Sequence, residues 1–269
     1  MRLFRVVAAS VRDVGVSDTL VGLPRYLLSP LTMRRLKRRK RDELARDGFD
    51  RAHGTETAAV LAGRALGPPV TPGGHLLAHY ETTSEAAIRA PLDGLTIDFA
   101  RFAFIDLGCG KGKPLLVAAS YPFRRLIGVD ISPACIEIAW RNLDRYGPER
   151  IDTSRVELLC RDAEEFAFPE EPIVLYLYNP FPGSVLERII ANLEQSLAAR
   201  PREAVVVYVN PRALTVMERS RWFVRRATIA DRMPMAAVGT PGHEAAAVFV
   251  TIPVVSTSDA RGFARSETG

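Results

Sequence analysis

The chain has 269 residues, 47% of them apolar, which is enough for one large core, and α/β chains of this length commonly form a single main domain. No apolar run approaches the ~18 residues of a membrane-spanning helix, and the charged N-terminus does not resemble a secretory signal. Three widely spaced cysteines and four histidines follow no metal-binding pattern, so we expect no metal site and a cytoplasmic protein with reduced thiols.

The positive charge of the chain is concentrated at its N-terminus. Residues 1–48 contain twelve Lys or Arg and five Asp or Glu, so the remaining chain has a net charge of −2, against +5 for the whole. We predict a basic, mostly helical extension over residues 1–48, with a helix over residues 32–46 that ends at Gly48. Its segment RRLKRRKR carries seven cations, which are Arg34, Arg35, Lys37, Arg38, Arg39, Lys40 and Arg41. These cations could bind nucleic acid, anionic lipid or an acidic protein, or could form the solvated face of a helix.

Residues 49–95 are predicted to form a helical and loop cap that contributes to the site. A helix is expected over residues 56–65, followed by a surface loop rich in Gly and Pro over residues 67–74. Ser84 can then cap a short helix that reaches about Leu92.

Residues 104–132, with the sequence FIDLGCGKGKPLLVAASYPFRRLIGVDIS, organise the rest of the chain. An apolar strand ends in Asp106, and a helix follows three glycines at alternate positions, Gly108, Gly110 and Gly112. A second strand then ends in Asp130. This pattern predicts half of a doubly wound α/β sheet, with a ligand bound where the first strand turns into its helix.

The glycines and aspartates of this stretch are residue types that suit ligand binding. Glycines adopt positive φ and let a ligand approach the backbone amides closely. Asp130 can hold a ribose diol with both carboxylate oxygens, and Asp106 suits a ligand that carries a cationic ammonium group. A phosphate-binding loop is disfavoured because Pro114 occupies the position of its magnesium-binding Ser or Thr. S-adenosylmethionine, a nucleoside with a ribose and an amino-acid tail, meets these requirements.

The sequence DLGCGKG followed by GVDIS resembles motif I and the following acidic loop of class I S-adenosylmethionine-dependent methyltransferases. The resemblance implies a Rossmann-like fold and S-adenosyl-L-methionine as the cofactor. It places Asp106 and the three glycines on the methionine moiety, and Asp130 with Ile131 on the ribose.

The sequence HYETTSEAAIRAPLDGL, directly before motif I, resembles the tyrosine- and threonine-bearing loop of lysine methyltransferases, including the non-SET histone-lysine enzymes. By that resemblance Tyr80, Thr82 and Thr83 lie over the methionine end of the cofactor. The alternative is a helix cap beside a packed tyrosine.

The rest of the chain alternates strands and helices in the way typical of this fold. Ser132 and Pro133 begin a helix that reaches about Tyr146, and Ser184 with Glu187 has the spacing of a capping box for another helix. Further strands are expected at Val156–Cys160, Ile173–Tyr178 and Ala204–Val209, and at residues 222–228 and 245–252. The sequence therefore predicts a doubly wound, mostly parallel α/β sheet with an antiparallel closing hairpin over residues 96–255, and a disordered tail over residues 256–269.

Two further groups of site residues follow from the resemblance. Asp162, beside Ala163, is the candidate for adenine recognition, with a solvated helix-start aspartate as the alternative. Asn179-Pro180-Phe181 resembles the NPPY tetrapeptide of amino-group methyltransferases, in which the Asn oxygen accepts a hydrogen bond from the amine. This chain has one proline before the aromatic residue where the tetrapeptide has two, and a proline-rich turn is the alternative.

The sequence favours an S-adenosylmethionine-dependent methyltransferase that acts on a nitrogen nucleophile in a protein lysine, a nucleobase or a small amine. A non-catalytic nucleoside-binding sensor or scaffold protein is the alternative. A nicotinamide dehydrogenase fits less well, because Asp106 would repel a pyrophosphate.

Overall fold

The computed structural model describes residues 48–58, 83–178, 181–228 and 246–251. The helices in these ranges are α1 (Phe49–His53), α2 (Glu85–Asp93), α3 (Lys113–Ala118), α4 (Pro133–Tyr146), α5 (Gly183–Ala199) and α6 (Leu214–Glu218). The strands are β1 (Ala103–Leu107), β2 (Arg125–Asp130), β3 (Val156–Cys160), β4 (Ile173–Tyr178), β5 (Ala204–Val209), β6 (Phe223–Thr228) and β7 (Ala246–Thr251).

The strands form one sheet in the order β3-β2-β1-β4-β5-β7-β6. Strands β1 to β5 are parallel, and β7 runs antiparallel to both β5 and β6. The prediction of a doubly wound, mostly parallel sheet with an antiparallel closing hairpin is therefore confirmed. Because the strand order reverses between β1 and β4, a crevice is expected at the carboxyl ends of these two strands.

Helices cover both faces of the sheet, and alternate residues of β1 serve the two cores. Phe104 packs in the core that contains residues of α2, α3 and α4, whereas Ile105 packs in the core that contains the apolar stripe of α5. The sequence IVLYLY of β4 is apolar throughout and buried up to Leu177, as expected of a parallel strand covered on both sides.

Two predicted helix starts are confirmed. Ser84 Oγ accepts a hydrogen bond from Ala87 N at 3.2 Å, and α2 follows it. Ser132 Oγ accepts from Cys135 N at 3.4 Å, and α4 runs to Tyr146.

Two other predictions of helix starts are wrong. The capping box at Ser184 is not formed, because Pro182 O already accepts hydrogen bonds from Val185 N and Leu186 N and starts α5 at Gly183. The helix predicted from residue 56 does not begin there either. The backbone amides of residues 57 and 58 donate to the Asp50 carboxylate, and such bonds compete with helix formation.

Several predicted features lie outside the described residues. They include the basic helix over residues 32–46, the loop over residues 67–74 and the tail over residues 256–269. The predicted domain limits remain predictions. Within the described ranges, no helix is both long enough and apolar enough to cross a membrane.

Candidate cofactor and acceptor site

The loop between β1 and α3 has the conformation that its glycines were expected to provide. Gly108, Gly110 and Gly112 have φ of 78°, 51° and 82°, in the left-handed region where residues with a Cβ are strained. Gly108 N and Cys109 N both donate to Val129 O, at 2.8 and 3.0 Å, and so attach the loop to β2. We call residues 108–113 the glycine loop.

The side chains between the glycines are buried. Cys109, Lys111 and Lys113 are 3%, 0% and 1% exposed, whereas Gly108 is exposed. A ligand at the glycine loop would therefore contact its backbone more than its side chains.

Asp130, at the end of β2, binds the backbone on both of its sides. Its Oδ2 accepts a hydrogen bond from Gly110 N and its Oδ1 accepts from Ser132 N, both at 2.8 Å. Burial raises the pKa of Asp130, and the two hydrogen bonds act in the opposite direction. Each carboxylate oxygen keeps a second lone pair, so the group can hold the glycine loop and still accept from ribose hydroxyls.

Asp106, at the end of β1, is the most unusual group of the site. It is 2% exposed, and its Oδ2 has no hydrogen-bond partner among the residues that the structure describes. Burial, together with repulsion by Asp130, raises the pKa of Asp106 well above its ordinary value. A buried carboxylate needs a partner, and an ammonium group would supply both charge and hydrogen bonds. The residues present therefore fit the amino-acid end of S-adenosylmethionine.

Asp162 follows β3 and caps a short 3-10 helix, Ala163–Glu165, by accepting from Glu164 N at 3.0 Å. Arg188 of α5 donates two hydrogen bonds to the Glu164 carboxylate, at 2.6 and 2.8 Å. Asn192 Nδ2 donates to Glu164 O at 2.7 Å. The loop with Asp162 and Ala163 is thus braced against α5.

A second contact joins this loop to the rest of the site. Arg161 N donates to Asp130 O at 3.0 Å. Strands β1, β2 and β3 thereby bring Asp106, Asp130 and Asp162 to the same edge of the sheet, in the order in which the strands lie side by side. Ile131 continues directly from Asp130 along this edge.

The predicted acceptor residues are described only in part. Phe181 is half-buried and packs against the core beside α5, and Thr83 is buried. Tyr80, Thr82, Asn179 and Pro180 lie outside the described residues, so their predicted roles stay predictions.

Sequence reasoning missed two features of the site. Asn210, directly after β5, is 8% exposed and has a φ of 51°, and it follows Val209, whose partner in β4 is Tyr178. A second Asn-Pro pair after a buried strand was the available signal. The other missed feature is the contact of residues 48–58 with the glycine loop, since the sequence predicted a cap over residues 49–95 without its partners.

The chain was compared with known proteins. The family model described as a methyltransferase domain matches residues 104–200. No curated protein matches the chain. Similar solved structures include the glycopeptide N-methyltransferase MtfA complexed with S-adenosyl-L-methionine, at 12% identity, 69% coverage of this chain, 100% of that chain and a TM-score of 0.47. An RNA methyltransferase from Salinibacter ruber in complex with S-adenosyl-L-homocysteine has 21% identity, 65% and 95% coverage and a TM-score of 0.42. The ribosomal protein L11 methylase from Lactobacillus delbrueckii subsp. bulgaricus has 13% identity, 63% and 78% coverage and a TM-score of 0.41.

The family match covers β1 to α5, which are the elements that carry the glycine loop and the three aspartates. The strand order and the unpartnered carboxylate oxygen of Asp106 agree with it. Residues 104–200 therefore match a methyltransferase domain, and their geometry fits S-adenosyl-L-methionine as its cofactor.

Proposed function

We propose that the protein methylates a nitrogen nucleophile at the crevice between β1 and β4. The observation that carries this proposal is the position of Asp106 in the sheet. Asp106 pairs with Gly128 of β2 on one side and with Tyr176 of β4 on the other. The strand that leads to Asn179 therefore lies directly beside the strand that ends near the glycine loop.

The order of the carboxylates along the sheet edge supports one orientation of the cofactor. Asp106 would bind the ammonium group, Asp130 the ribose and Asp162 the adenine, so the nucleoside would extend from β1 towards β3. The methionine end would then face β4. An acceptor held after β4 would then lie beside the methionine end of the cofactor.

The cofactor would supply a methyl group on a sulfonium, and the thioether S-adenosylhomocysteine would leave when the bond from sulfur to the methyl carbon breaks. The task of the protein is then to orient the nucleophile for in-line attack, and orientation can contribute about 7–11 kcal/mol to the lowering of a barrier. In this proposal the Asn179 side-chain oxygen accepts a hydrogen bond from the amine and directs its lone pair towards the methyl carbon. Phe181 would pack beside the acceptor.

The cofactor assignment is tested by calorimetry with S-adenosylmethionine and S-adenosylhomocysteine. We expect both to bind the wild-type protein and Asp130→Ala to bind at least about tenfold more weakly, which is about 1.4 kcal/mol. Unchanged affinity in Asp130→Ala would show that the ribose is held elsewhere.

The acceptor assignment is tested by transfer of labelled methyl groups into a cell lysate. We expect Asn179→Ala to lower turnover and to leave the cofactor affinity nearly unchanged, because its contact is made with the acceptor. Gln195→Ala is the matched control, since it removes an exposed side-chain amide of α5 and should leave turnover near the wild-type value. Digestion of the labelled lysate with protease or nuclease then separates protein, nucleic acid and small-molecule acceptors.

Binding without any labelled product would favour the alternative of a nucleoside-binding sensor. Equal losses of cofactor affinity and turnover in Asn179→Ala would make Asn179 a cofactor or structural residue.

A further inference from the structure

We propose that residues 48–58, which we call the strap, hold the glycine loop in its cofactor-binding conformation, with Asp50 and Glu56 as positioning residues. The inference rests on the role of the glycine loop in cofactor binding. It assigns a function to a segment that lies about fifty residues before the loop in the sequence and outside the matched methyltransferase domain.

The strap is folded back on itself by a single carboxylate. Asp50 Oδ1 accepts hydrogen bonds from Thr55 Oγ1 and Thr57 Oγ1, both at 2.7 Å, and from Thr57 N at 2.8 Å. Its Oδ2 accepts from Ala58 N at 2.8 Å. Burial raises the pKa of Asp50, but the hydrogen bonds from Thr57, Thr55 and Ala58 outweigh it and keep the pKa below its ordinary value. The carboxylate is therefore charged at neutral pH and fixes the shape of the strap.

A network of hydrogen bonds and one ion pair connects the strap, helix α4 and the glycine loop. Glu56 N donates to Asn142 Oδ1 at 2.8 Å, and Asn142 Nδ2 donates to Lys111 O at 2.9 Å. Lys111 Nζ lies 3.5 Å from Glu56 Oε1. Asn142 is 0% exposed, so its amide is committed to these two partners. The carbonyl of Lys111, in the middle of the glycine loop, is thereby fixed from behind.

An aromatic cluster covers the second lysine of the glycine loop. Lys113 Nζ lies 5.0 Å from the centre of the Phe49 ring, a cation-π distance. The Phe49 ring stacks on Tyr146 of α4, and His53 packs against both rings at 4.6 and 4.8 Å. The strap therefore anchors on α4 as well as on the glycine loop.

The strap provides a partner for each of the two buried lysines of the glycine loop. A buried ammonium is costly unless it is paired, and burial lowers the pKa of Lys111 while Glu56 acts in the opposite direction. Without the strap, Lys111 would lose the carboxylate of Glu56, and Lys113 would lose the ring of Phe49. The glycine loop would then have to be ordered by the cofactor itself, and that ordering would weaken binding.

The test uses the full-length protein and measures cofactor affinity. In Glu56→Gln and in Asp50→Asn we expect the Kd for S-adenosylhomocysteine to rise about tenfold, equivalent to about 1.4 kcal/mol. At saturating cofactor we expect kcat to stay within about twofold of wild type and the acceptor KM to be unchanged, because the reacting groups are not touched.

Two matched controls make the same chemical changes elsewhere. Glu137→Gln removes an exposed carboxylate that pairs with Arg141 on α4, and Asp152→Asn removes a carboxylate that accepts from Ser154 N and Ser154 Oγ. We expect both controls to bind the cofactor with wild-type affinity. A loss in the controls equal to that in the strap variants would overturn the proposal.

The second readout is hydrogen exchange of the amides of residues 108–113 in the cofactor-free protein. We expect faster exchange there in Glu56→Gln than in Glu137→Gln. Because this readout needs no cofactor, it tests the strap even if the cofactor assignment fails. Should Asp50→Asn fail to fold, Glu56→Gln decides, since Glu56 is partly exposed. Wild-type exchange and wild-type Kd in folded Glu56→Gln would overturn the proposal.

Discussion

Asp106 should destabilise the cofactor-free protein and, if it binds the cofactor ammonium as proposed, stabilise the complex. Its carboxyl is 2% exposed, and within the described part of the chain its Oδ2 has no hydrogen-bond partner. A buried polar atom without a partner costs about 1–3 kcal/mol, and more when it is charged. The cofactor ammonium would remove this cost on binding, so Asp106 concentrates binding energy at one end of the cofactor.

Asp106→Asn should therefore have opposite effects on stability and on binding. The pKa of Asp106 is 3.8 in the unfolded chain and well above that value in the folded protein. Between these two values the folded protein keeps the proton, whereas the unfolded chain has lost it. Stability contributed by this group is hence lost as pH rises from 3.8 towards the folded pKa. The variant has no such titration, so its advantage in the free energy of unfolding should grow with pH to about 1–3 kcal/mol.

Urea unfolding of the cofactor-free proteins at about pH 5 and about pH 8 measures this effect. Calorimetry should show an S-adenosylmethionine Kd at least about tenfold higher in Asp106→Asn. Asp98→Asn, at an exposed cap, is the control and should leave the affinity unchanged. Wild-type affinity in Asp106→Asn would contradict the ammonium assignment.

Asn210 has a backbone in the left-handed region, with a positive φ. At a φ of 51°, alanine should cost about 1–2 kcal/mol, whereas glycine should be tolerated. We expect Asn210→Gly to keep wild-type stability and to lower kcat/KM for the acceptor, because its position beside the last residues of β4 places it near the proposed acceptor site. Asn210→Ala should lose stability as well. Full activity in Asn210→Gly would reduce Asn210 to a turn residue.

At the scale of the elements, the site depends on how closely β2, α3 and β3 approach one another. A Cβ at Gly128 of β2 would lie 2.6 Å from Leu115 Cδ1 of α3, 2.7 Å from Leu158 Cδ2 of β3 and 3.0 Å from Cys109 Sγ of the glycine loop. These atoms belong to a packed core, and they can move only by displacing their neighbours. Gly128 therefore sets the distance between the sheet and the glycine loop.

Gly128→Ala should destabilise the protein by about 1–3 kcal/mol through overpacking, and should weaken cofactor binding because Cys109 is displaced. Gly147→Ala is the contrasting variant, since the atoms nearest to its added Cβ are those of the exposed Glu149 side chain and its φ of 92° is strained. We expect it to cost about 1–2 kcal/mol without affecting affinity. Thermal unfolding and calorimetry measure both effects, and unaltered binding in Gly128→Ala would contradict the link to the glycine loop.

At the scale of the whole molecule, charge and site are separated along the chain. The excess of positive charge lies in residues 1–48, whereas the described site residues lie between residues 83 and 210 and the strap begins at Gly48. Cofactor binding and any electrostatic docking should therefore be independent of each other. This separation can be tested by removing the N-terminal positive charge while the cofactor site is kept.

Deletion of residues 1–47 should leave the Kd for S-adenosylhomocysteine within about twofold of wild type. If the full-length protein binds nucleic acid, the deletion should abolish that binding. The logarithm of affinity of the full-length protein should fall by roughly 0.7–0.9 per phosphate contacted as the logarithm of salt concentration rises. A full-length variant with the seven cations of residues 34–41 changed to Gln is the control and should behave like the deletion. Salt-dependent binding that survives both changes would place the nucleic-acid contact in another part of the chain.

The sequence by itself determined the core strands, the start of α4 and the identity of the cofactor. Strands β4 and β5 were predicted at their observed limits because an unbroken apolar run suits a parallel strand that is covered on both faces. The glycine loop was predictable because glycines at alternate positions suit positive φ, and the Ser132 cap because it accepts from Cys135 N, only three residues away. These features depend on local chemistry, which a sequence displays directly.

Only the tertiary structure decided the contacts of the strap, the burial of Lys111 and the two backbone hydrogen bonds that Asp130 accepts. Glu56 and Asn142 are 86 residues apart, and Asn142 and Lys111 are 31 apart, so no local pattern reveals their contacts. The buried Lys111 side chain lies 3.5 Å from the carboxylate of Glu56, which is distant in the sequence. These contacts form only when the strap, α4 and the glycine loop pack together, and the tertiary fold brings them together.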